Sequence, residues 1–422
     1  MRPTADPITR MTQSPSVRQP PDLPLRWIRT ARDLHALADR LAPGSALALD
    51  TESDSLHSYP EKVCLLQLAW NAGEAFLIDP LEVRDLSPLA PLCADPGRIK
   101  VFHGASYDLA SLKREFGLVF AGIFDTMIGA QLLGLPALGL DALLERYLGL
   151  PPTKSRQKDD WAERPLSSEQ EEYAARDVRH LLALREQLQT DLVSRGRLAW
   201  VEEECEALAS MPATTRVFDP EDYLRVKGAR TLDRRGLATL RELYVAREAW
   251  ARSSGRPPFK VLGSEVLIRL AADRPRSPEG LAGIPGVPRG LIRRQADALL
   301  AVIARGAAVP EAELPWYPKA VKPRVPRPVQ RRIAALSEWR AQAAGTIGIE
   351  PGILLPRRLI ERLAEAHPRT RLALADIEGL RRWRIGAFGA DLIRVLGPVD
   401  EGAAPEAAGR TAVRGGSGGD QS

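Results

Sequence analysis

The sequence has 422 residues, of which 44% are hydrophobic, and a formal net charge of +5. A prior of about 150 residues per domain predicts two to four domains. No run of eighteen or more apolar residues occurs, so we expect no membrane span. The three cysteines, Cys64, Cys93 and Cys205, are widely spaced and fit neither a zinc pattern nor a disulfide framework. We therefore predict a cytoplasmic protein.

The two ends of the chain differ in composition from the rest. Residues 1–22 are rich in Pro, Ser and Thr and lack the apolar stretch of a secretory signal. Residues 399–422 are dominated by Gly, Ala and polar residues. Both segments are predicted to be disordered.

Charge is distributed unevenly along the chain. Acidic residues outnumber basic ones between 23 and 210, whereas basic residues, mostly arginine, outnumber acidic ones between 211 and 400. Guanidinium groups bind phosphate through paired hydrogen bonds, so a basic half favours a polyanionic partner such as nucleic acid. The alternative is a solvated surface with no such partner.

The acidic half is predicted to be a layered α/β domain. After a helix at 30–42 we expect strands at 45–50, 63–70 and 74–79, the last two forming a hairpin. A short helix near 86–93, a strand at 99–104, a helix at 106–116 and a helical stretch at 123–149 follow. A helix at 165–188 opens with a capping-box pattern at Ser167 or Ser168. This order predicts a mixed sheet with helices packed on it.

Carboxylates occur at the ends of several of these elements. Asp50 and Glu52 are two apart at the end of a strand, so their side chains point to the same side of the sheet. Asp108 lies in the first turn of a helix, where a lone acid is also commonly found for purely structural reasons. Tyr173 and Asp177 are four apart and share a helix face, which on its own is also commonly structural.

Four converging carboxylates would repel each other unless they bound cations. Oxygen ligands select Mg²⁺ or Mn²⁺, and two such ions about 3.5–4 Å apart can hold both oxygens of a phosphoryl displacement. We therefore predict a divalent-metal site, and we interpret Asp54 as a solvated acid or a support behind the ligands.

The segments "DTE" (50–52), "HGASYD" (103–108) and "YAARD" (173–177) resemble the three motifs of the DEDD exonuclease superfamily in its Tyr-containing branch. The loop "KSRQKDDWAERPLS" (154–167) is similar to the loop that precedes the third motif in ribonuclease D. One departure is Asp159, where that family often has a small Ser. The resemblance implies an RNase H-like exonuclease fold for residues 23–208.

The resemblance also implies roles for individual residues. Two divalent ions, Mg²⁺ or Mn²⁺, would be held by the four acids, and Tyr173 would orient the attacking water. Three further residues are candidate substrate contacts. For Trp161 the alternative is a loop anchor, and for His103 a structural contact. Asp125 is expected to be a supporting residue. The metal-ligand set is Asp50, Glu52, Asp108 and Asp177, and the candidate substrate contacts are His103, Lys154 and Trp161.

The basic half resembles two copies of the HRDC domain, a small all-α module. The first copy is placed at 220–308, with helices near 233–254, 263–272, 277–283 and 288–305. The second, more divergent copy is placed at 329–398, after a Pro-rich spacer at 309–328. Both are expected to bind single-stranded RNA through Arg and Lys, or else to be packing or oligomerisation domains.

The resemblance as a whole implies a 3′→5′ exoribonuclease that trims tRNA precursors or other structured RNAs with a 3′ single-stranded end. Nucleoside 5′-monophosphates would be released, and the enzyme is expected to be a monomer. Two alternatives stay open, namely a 3′→5′ DNA exonuclease and a catalytically silent RNA-binding scaffold. Four intact acids favour an active enzyme, because unneutralised buried charge is costly.

Overall fold

The computed structural model describes residues 24–41, 46–71, 73–213, 217–318 and 325–397. The segments expected to be disordered, 1–22 and 399–422, lie outside these residues. The chain divides into two compact units, Met1–Lys322 and Pro323–Ser422. Within the described residues, no helix has the length and apolar character that a membrane crossing requires.

The first unit contains a six-stranded mixed sheet in its described part. The strand order is β1-β4-β3-β2-β5-β6, and β3 runs antiparallel to both of its neighbours whereas the other pairs are parallel. The mixed sheet was predicted, but β1 and β6 were not. The strands are β1 (Leu25–Ile28), β2 (Leu47–Ser53), β3 (Val63–Trp70), β4 (Glu74–Ile78), β5 (Lys100–Phe102) and β6 (Ile123–Asp125).

The register between β2 and β3 places the acids of β2 on one face of the sheet. Asp50 lies opposite Gln67, and Glu52 lies opposite Leu65. Residues directly opposite each other in an antiparallel pair project to the same face, so these four side chains share it. The register shifts after Glu52, where the strand is about to end.

The helices of the exonuclease domain agree with the prediction in part. The helix at 106–116 is found as expected, but the single helical stretch at 123–149 is wrong. Asp125 ends β6 and caps the next helix through its side chain, and Gly134, in a left-handed conformation, ends that helix. The helix expected at 165–188 is two helices that meet at His180. The helices are α1 (Ala31–Arg40), α2 (Ala90–Ala94), α3 (Ser106–Phe116), α4 (Thr126–Leu133), α5 (Leu140–Leu148), α6 (Ser168–Arg179), α7 (Leu181–Ser194) and α8 (Leu198–Ser210).

Helix α6 packs on the face of the sheet that carries Asp50 and Glu52. Its N-terminus is fixed by a capping box in which Ser167 and Gln170 exchange side-chain and backbone hydrogen bonds, as predicted. Ala174 of α6 and Leu65 and Leu77 of the sheet form an apolar cluster with Trp161. This packing brings the polar face of α6 close to the end of β2.

The described residues after α8 in the first unit form a helical domain. Residues 314–317 pack against this domain, as shown by the burial of Leu314 and by the hydrogen bond from the Tyr317 hydroxyl to the Leu224 carbonyl. The first part of the predicted Pro-rich spacer is therefore attached to this domain. Its apolar core includes Leu240, Leu267 and Leu299. The helices are α9 (Arg234–Ser254), α10 (Pro258–Val261), α11 (Ser264–Asp273), α12 (Pro278–Gly283) and α13 (Arg289–Ala308).

The second unit consists of helices joined by short connections in its described residues. Its buried side chains include Leu336, Ile360, Leu363, Leu374 and Leu392, one or more from four of its helices. The helices are α14 (Arg327–Ile347), α15 (Pro351–Leu354), α16 (Arg357–Ala366), α17 (Arg371–Ala375) and α18 (Arg382–Leu396). The order of long and short helices repeats that of α9 to α13.

Candidate active site

Three of the four predicted metal ligands form one tight cluster. One carboxylate oxygen from each of Asp50, Glu52 and Asp177 lies within 4.8 Å of the other two. Asp50 and Glu52 come from β2, and Asp177 comes from α6 packed on the same face. A cluster of oxygen ligands without nitrogen or sulfur is the type of site that Mg²⁺ and Mn²⁺ occupy.

Asp108, the fourth predicted ligand, lies at the edge of this cluster. It is buried in the first turn of α3, and its Oδ1 accepts a hydrogen bond from the Thr51 hydroxyl. Thr51 stands between Asp50 and Glu52 on β2, so Asp108 is tied to the strand that carries two of the ligands. Its charge also raises the pKa of Asp50 and Glu52.

The pKa values of these acids show that the site disfavours negative charge. Burial is the main cause for every one of them, and the neighbouring carboxylates add to it for Asp50 and Glu52. The pKa of Glu52 rises to about 9, that of Asp108 to about 6 and that of Asp177 to about 7. The pKa of Asp50 is raised well above its ordinary value. A bound cation would favour the charged forms of these acids and offset the effects of burial and of repulsion between them.

Tyr173 stands one helical turn before Asp177 and is hydrogen-bonded to it. Burial and the charges of Asp177, Glu52 and Asp50 all raise the pKa of its phenol. Tyr173 also packs on Trp161, with ring centroids 6.1 Å apart. The phenol therefore stays protonated at neutral pH and donates a hydrogen bond to Asp177, while its oxygen can still accept one.

The three candidate substrate contacts lie in different surroundings. Trp161 is 0% exposed, so it has no free face for a nucleotide, and its position agrees with the alternative role of loop anchor. His103 Nδ1 lies 2.9 Å from the Thr126 hydroxyl, which itself donates to the Phe102 carbonyl. That bond favours the structural interpretation of His103. Lys154 is exposed on the loop before α6.

Two further acids have structural partners. Asp125 accepts hydrogen bonds from the backbone N–H groups of Gly104 and Ala105, so it holds the segment that leads to Asp108, in agreement with its expected supporting role. Asp54 is buried rather than solvated, and its Oδ1 accepts from the backbone N–H of Lys62 at 2.7 Å. It closes the base of the loop that follows β2.

An ion pair that the sequence did not indicate holds the loop before α6. The Arg164 guanidinium binds both carboxylate oxygens of Asp79, at 2.7 and 3.0 Å, and donates to the carbonyls of Cys64 and Trp161. The Asp79 side chain is fully buried. The two residues are 85 positions apart, so no local pattern could have paired them.

Comparisons with known proteins agree with this fold and domain order. A family model described as a 3′-5′ exonuclease matches residues 25–193, and the HRDC domain model matches residues 236–303 and 329–396. Ribonuclease D of Acidiphilium cryptum is 35% identical over 92% of this chain and 95% of its own length.

Two solved structures extend the comparison. The crystal structure of Escherichia coli RNase D, described as an exoribonuclease involved in structured RNA processing, matches with a TM-score of 0.65 and 29% identity. The match covers 89% of this chain and 99% of that one. The catalytic core of RRP6 from Trypanosoma brucei matches with a TM-score of 0.62 and 28% identity, over 68% and 80% of the two chains. The chain belongs to the ribonuclease D family of metal-dependent 3′→5′ exoribonucleases, with a 3′-5′ exonuclease domain followed by two HRDC domains.

Proposed function

We propose that this protein removes nucleotides from the 3′ ends of structured RNAs by hydrolysis that depends on two divalent metal ions. The observation that carries the proposal is the cluster of Asp50, Glu52 and Asp177, whose oxygens lie within 4.8 Å of one another on a face of the sheet. These three acids and Asp108 would hold the ions. When bound, the ions would supply the positive charge that activates water and stabilises the leaving oxygen of the phosphodiester.

The charge of the site supports two ions rather than one. Four ionised carboxylates carry a charge of −4, which two divalent ions balance and one does not. Asp108 belongs in the ligand set on this view although it lies at the edge of the cluster, because it is hydrogen-bonded to Thr51 between two of the ligands. The oxygen-only set supports either Mg²⁺ or Mn²⁺.

Tyr173 is proposed to orient the attacking water rather than to remove its proton. Its phenol donates to Asp177 and has a raised pKa, so it is a poor base at neutral pH. The phenol oxygen is left to accept a hydrogen bond from a water molecule beside the carboxylates. Such positioning restricts the water to an orientation suited to attack.

The substrate is proposed to be tRNA precursors or similar RNAs with a single-stranded 3′ end. The description of the Escherichia coli relative, which processes structured RNA, supports this class. The arginine-rich HRDC domains supply cationic groups for phosphate contacts, which make binding strongly salt-dependent. We propose that the enzyme works as a monomer, which light scattering would test.

Product analysis tests this proposal. A tRNA precursor with a 3′ extension would be incubated with the protein and Mg²⁺, and the products separated by chromatography with mass detection. Shortened RNA and nucleoside 5′-monophosphates are expected, and neither should form with Asp177→Asn. Nucleoside 3′-monophosphates or internal fragments would contradict it. Binding without cleavage by the wild type would instead favour the scaffold alternative.

A further inference from the structure

Gln67 is a buried polar residue that the proposed chemistry does not use. It lies in the middle of β3, its side chain has 0% exposure, and neither its amide nitrogen nor its amide oxygen has a hydrogen-bond partner. An unpaired buried polar group destabilises the folded state, so such groups are uncommon in folded proteins. The presence of a glutamine at this buried position, where an apolar residue would be expected, therefore needs an explanation.

The register identifies what lies beside this amide. Gln67 is paired with Asp50 on β2 and with Leu77 on β4, and directly opposed side chains have Cβ atoms about 4.5–5.5 Å apart on the same face. Leu77 and the neighbouring Leu65 belong to the apolar cluster under α6. The polar side chain directly opposite Gln67 is therefore Asp50, one of the three clustered acids.

The other acids within reach are less suitable partners. Glu52 is a diagonal neighbour on the β2–β3 ladder, about 7–8 Å away. Asp79 lies beyond the last paired residue of β4. Asp79 already accepts from Arg164 with both oxygens and from the backbone N–H of Leu81. Asp50 accepts a hydrogen bond from the Thr51 backbone, and its two carboxylate oxygens leave further acceptor capacity for the Gln67 amide.

We propose that Gln67 is a positioning residue for the metal site, whose amide N–H donates to the Asp50 carboxylate when that group holds a cation. This inference rests on the proposed function. Carboxylates that bind metal are themselves commonly hydrogen-bonded by neighbouring groups, and loss of such a partner costs about 10–100-fold in metal affinity. The amide suits this role because it is neutral and adds no charge to the cluster.

Metal binding can be measured without turnover. Free Mn²⁺ would be followed by electron paramagnetic resonance while the full-length protein is titrated, for the wild type, Gln67→Met and Gln67→Leu. Leu68→Met is the matched control, because Leu68 is equally buried in β3 but projects to the opposite face. Asp50→Asn defines the binding that depends on the carboxylate cluster.

The proposal predicts that Gln67→Met and Gln67→Leu bind Mn²⁺ about 10–100-fold more weakly than the wild type, with Leu68→Met unchanged. Both variants should melt in chelator at or above the wild-type temperature, because an unpaired polar group has been removed. The metal concentration for half-maximal cleavage should rise by a similar factor.

If both Gln67 variants bound Mn²⁺ with affinities within twofold of the wild type, the role proposed for Gln67 would be overturned while the proposed metal site would stand. Loss of the fold in chelator by both Gln67 variants would also overturn that role, since an amide without partners cannot be required for folding. If the wild type itself showed no Mn²⁺ binding dependent on Asp50, the proposed metal site would fail, and this inference with it.

Discussion

The buried carboxylates of the site destabilise the folded protein when they are ionised and no metal is bound. Glu52, Asp108 and Asp177 have pKa values raised to about 9, 6 and 7. A carboxyl whose pKa is higher in the folded than in the unfolded chain favours folding below its ordinary pKa near 4. That contribution is lost as pH rises through the folded value.

A first prediction follows for stability against pH. In chelator, the wild type should become less stable between about pH 4 and pH 9, the window set by the ordinary and the raised pKa of Glu52. Asp50→Asn removes one of the repelling charges, so it should weaken this slope and raise the melting temperature at pH 8 by roughly 2–4 °C. Thermal unfolding at several pH values measures both. A wild-type melting temperature that rises over the same window would contradict the assignment.

A second prediction concerns Tyr173. Tyr173→Phe keeps the ring that packs on Trp161 but removes the hydroxyl bonded to Asp177. We expect kcat to fall about 10²-fold with RNA affinity unchanged, because the lost group orients the water and does not bind the substrate. Tyr147→Phe is a matched control. The Tyr147 hydroxyl donates to Asp191 on α7, and its loss should leave kcat unaltered. Equal effects of the two substitutions would show that Tyr173 has only a structural role.

At the scale of elements, the loop before α6 is held by the Asp79–Arg164 ion pair, in which the Asp79 carboxylate is fully buried and the Arg164 side chain is 21% exposed. Removing the Asp79 charge leaves the largely buried guanidinium without its partner, and breaking a buried pair in this way costs about 3–5 kcal/mol. Asp79→Asn should therefore lower the free energy of unfolding by about that amount, as measured in urea. Asp159→Asn is the matched control, since the Arg156–Asp159 pair is partly exposed on the same loop and should contribute less than about 1 kcal/mol. Similar losses for both variants would contradict the role assigned to the Asp79–Arg164 pair.

Local patterns account for the elements that were predicted correctly. The helix at Ser106–Phe116 and the capping box at Ser167 are encoded within one or two turns of sequence. The strand Leu25–Ile28 was missed because four residues carry too little periodicity, and its pairing with β4 joins segments far apart in the chain. The break at Asp125 was missed because a capping acid is hard to recognise inside an apolar run.

The sequence motifs and their spacing predict which acids belong to the site, but they do not predict the contacts that surround those acids. Asp50 and Glu52 share a face because side chains alternate along a strand, and this alternation follows from the spacing of the two residues alone. The register that places Gln67 opposite Asp50, and the pairing of Asp79 with Arg164, depend on contacts between distant segments. Burial likewise favours the loop-anchor interpretation of Trp161, and the sequence does not determine that burial.

At the scale of the whole molecule, the exonuclease domain and the first HRDC domain are joined within the first unit by the loop after β2. The Tyr59 hydroxyl donates to Glu248 of α9 at 2.6 Å, and the Tyr59 backbone N–H donates to the Gly255 carbonyl. Glu248 is buried and also accepts from Arg252. The loop that carries Tyr59 directly follows β2, the strand that carries Asp50 and Glu52. One continuous segment therefore contributes both to the active site and to the contact with the first HRDC domain.

A double-mutant cycle tests this connection. Tyr59→Phe and Glu248→Leu should each destabilise the protein, and the two effects should be non-additive by about 0.5–3 kcal/mol, because each substitution removes the same hydrogen bond, the first its donor and the second its acceptor. Urea unfolding of the wild type, the two single variants and the double variant measures the coupling. Additive effects would mean that the two side chains do not interact in solution.

The measurement that tests the central claim most directly is a time course on 5′-labelled RNA and on DNA of the same sequence. Each would be incubated with Mg²⁺, Mn²⁺ or chelator, with Asp50→Asn as the inactive control. The account predicts a ladder that shortens from the 3′ end on RNA, that requires metal, and that is absent in the variant. An equally fast ladder on DNA would favour the DNA exonuclease alternative. Metal-independent cleavage, or cleavage retained by Asp50→Asn, would contradict the assignment of the carboxylate cluster as the catalytic metal site.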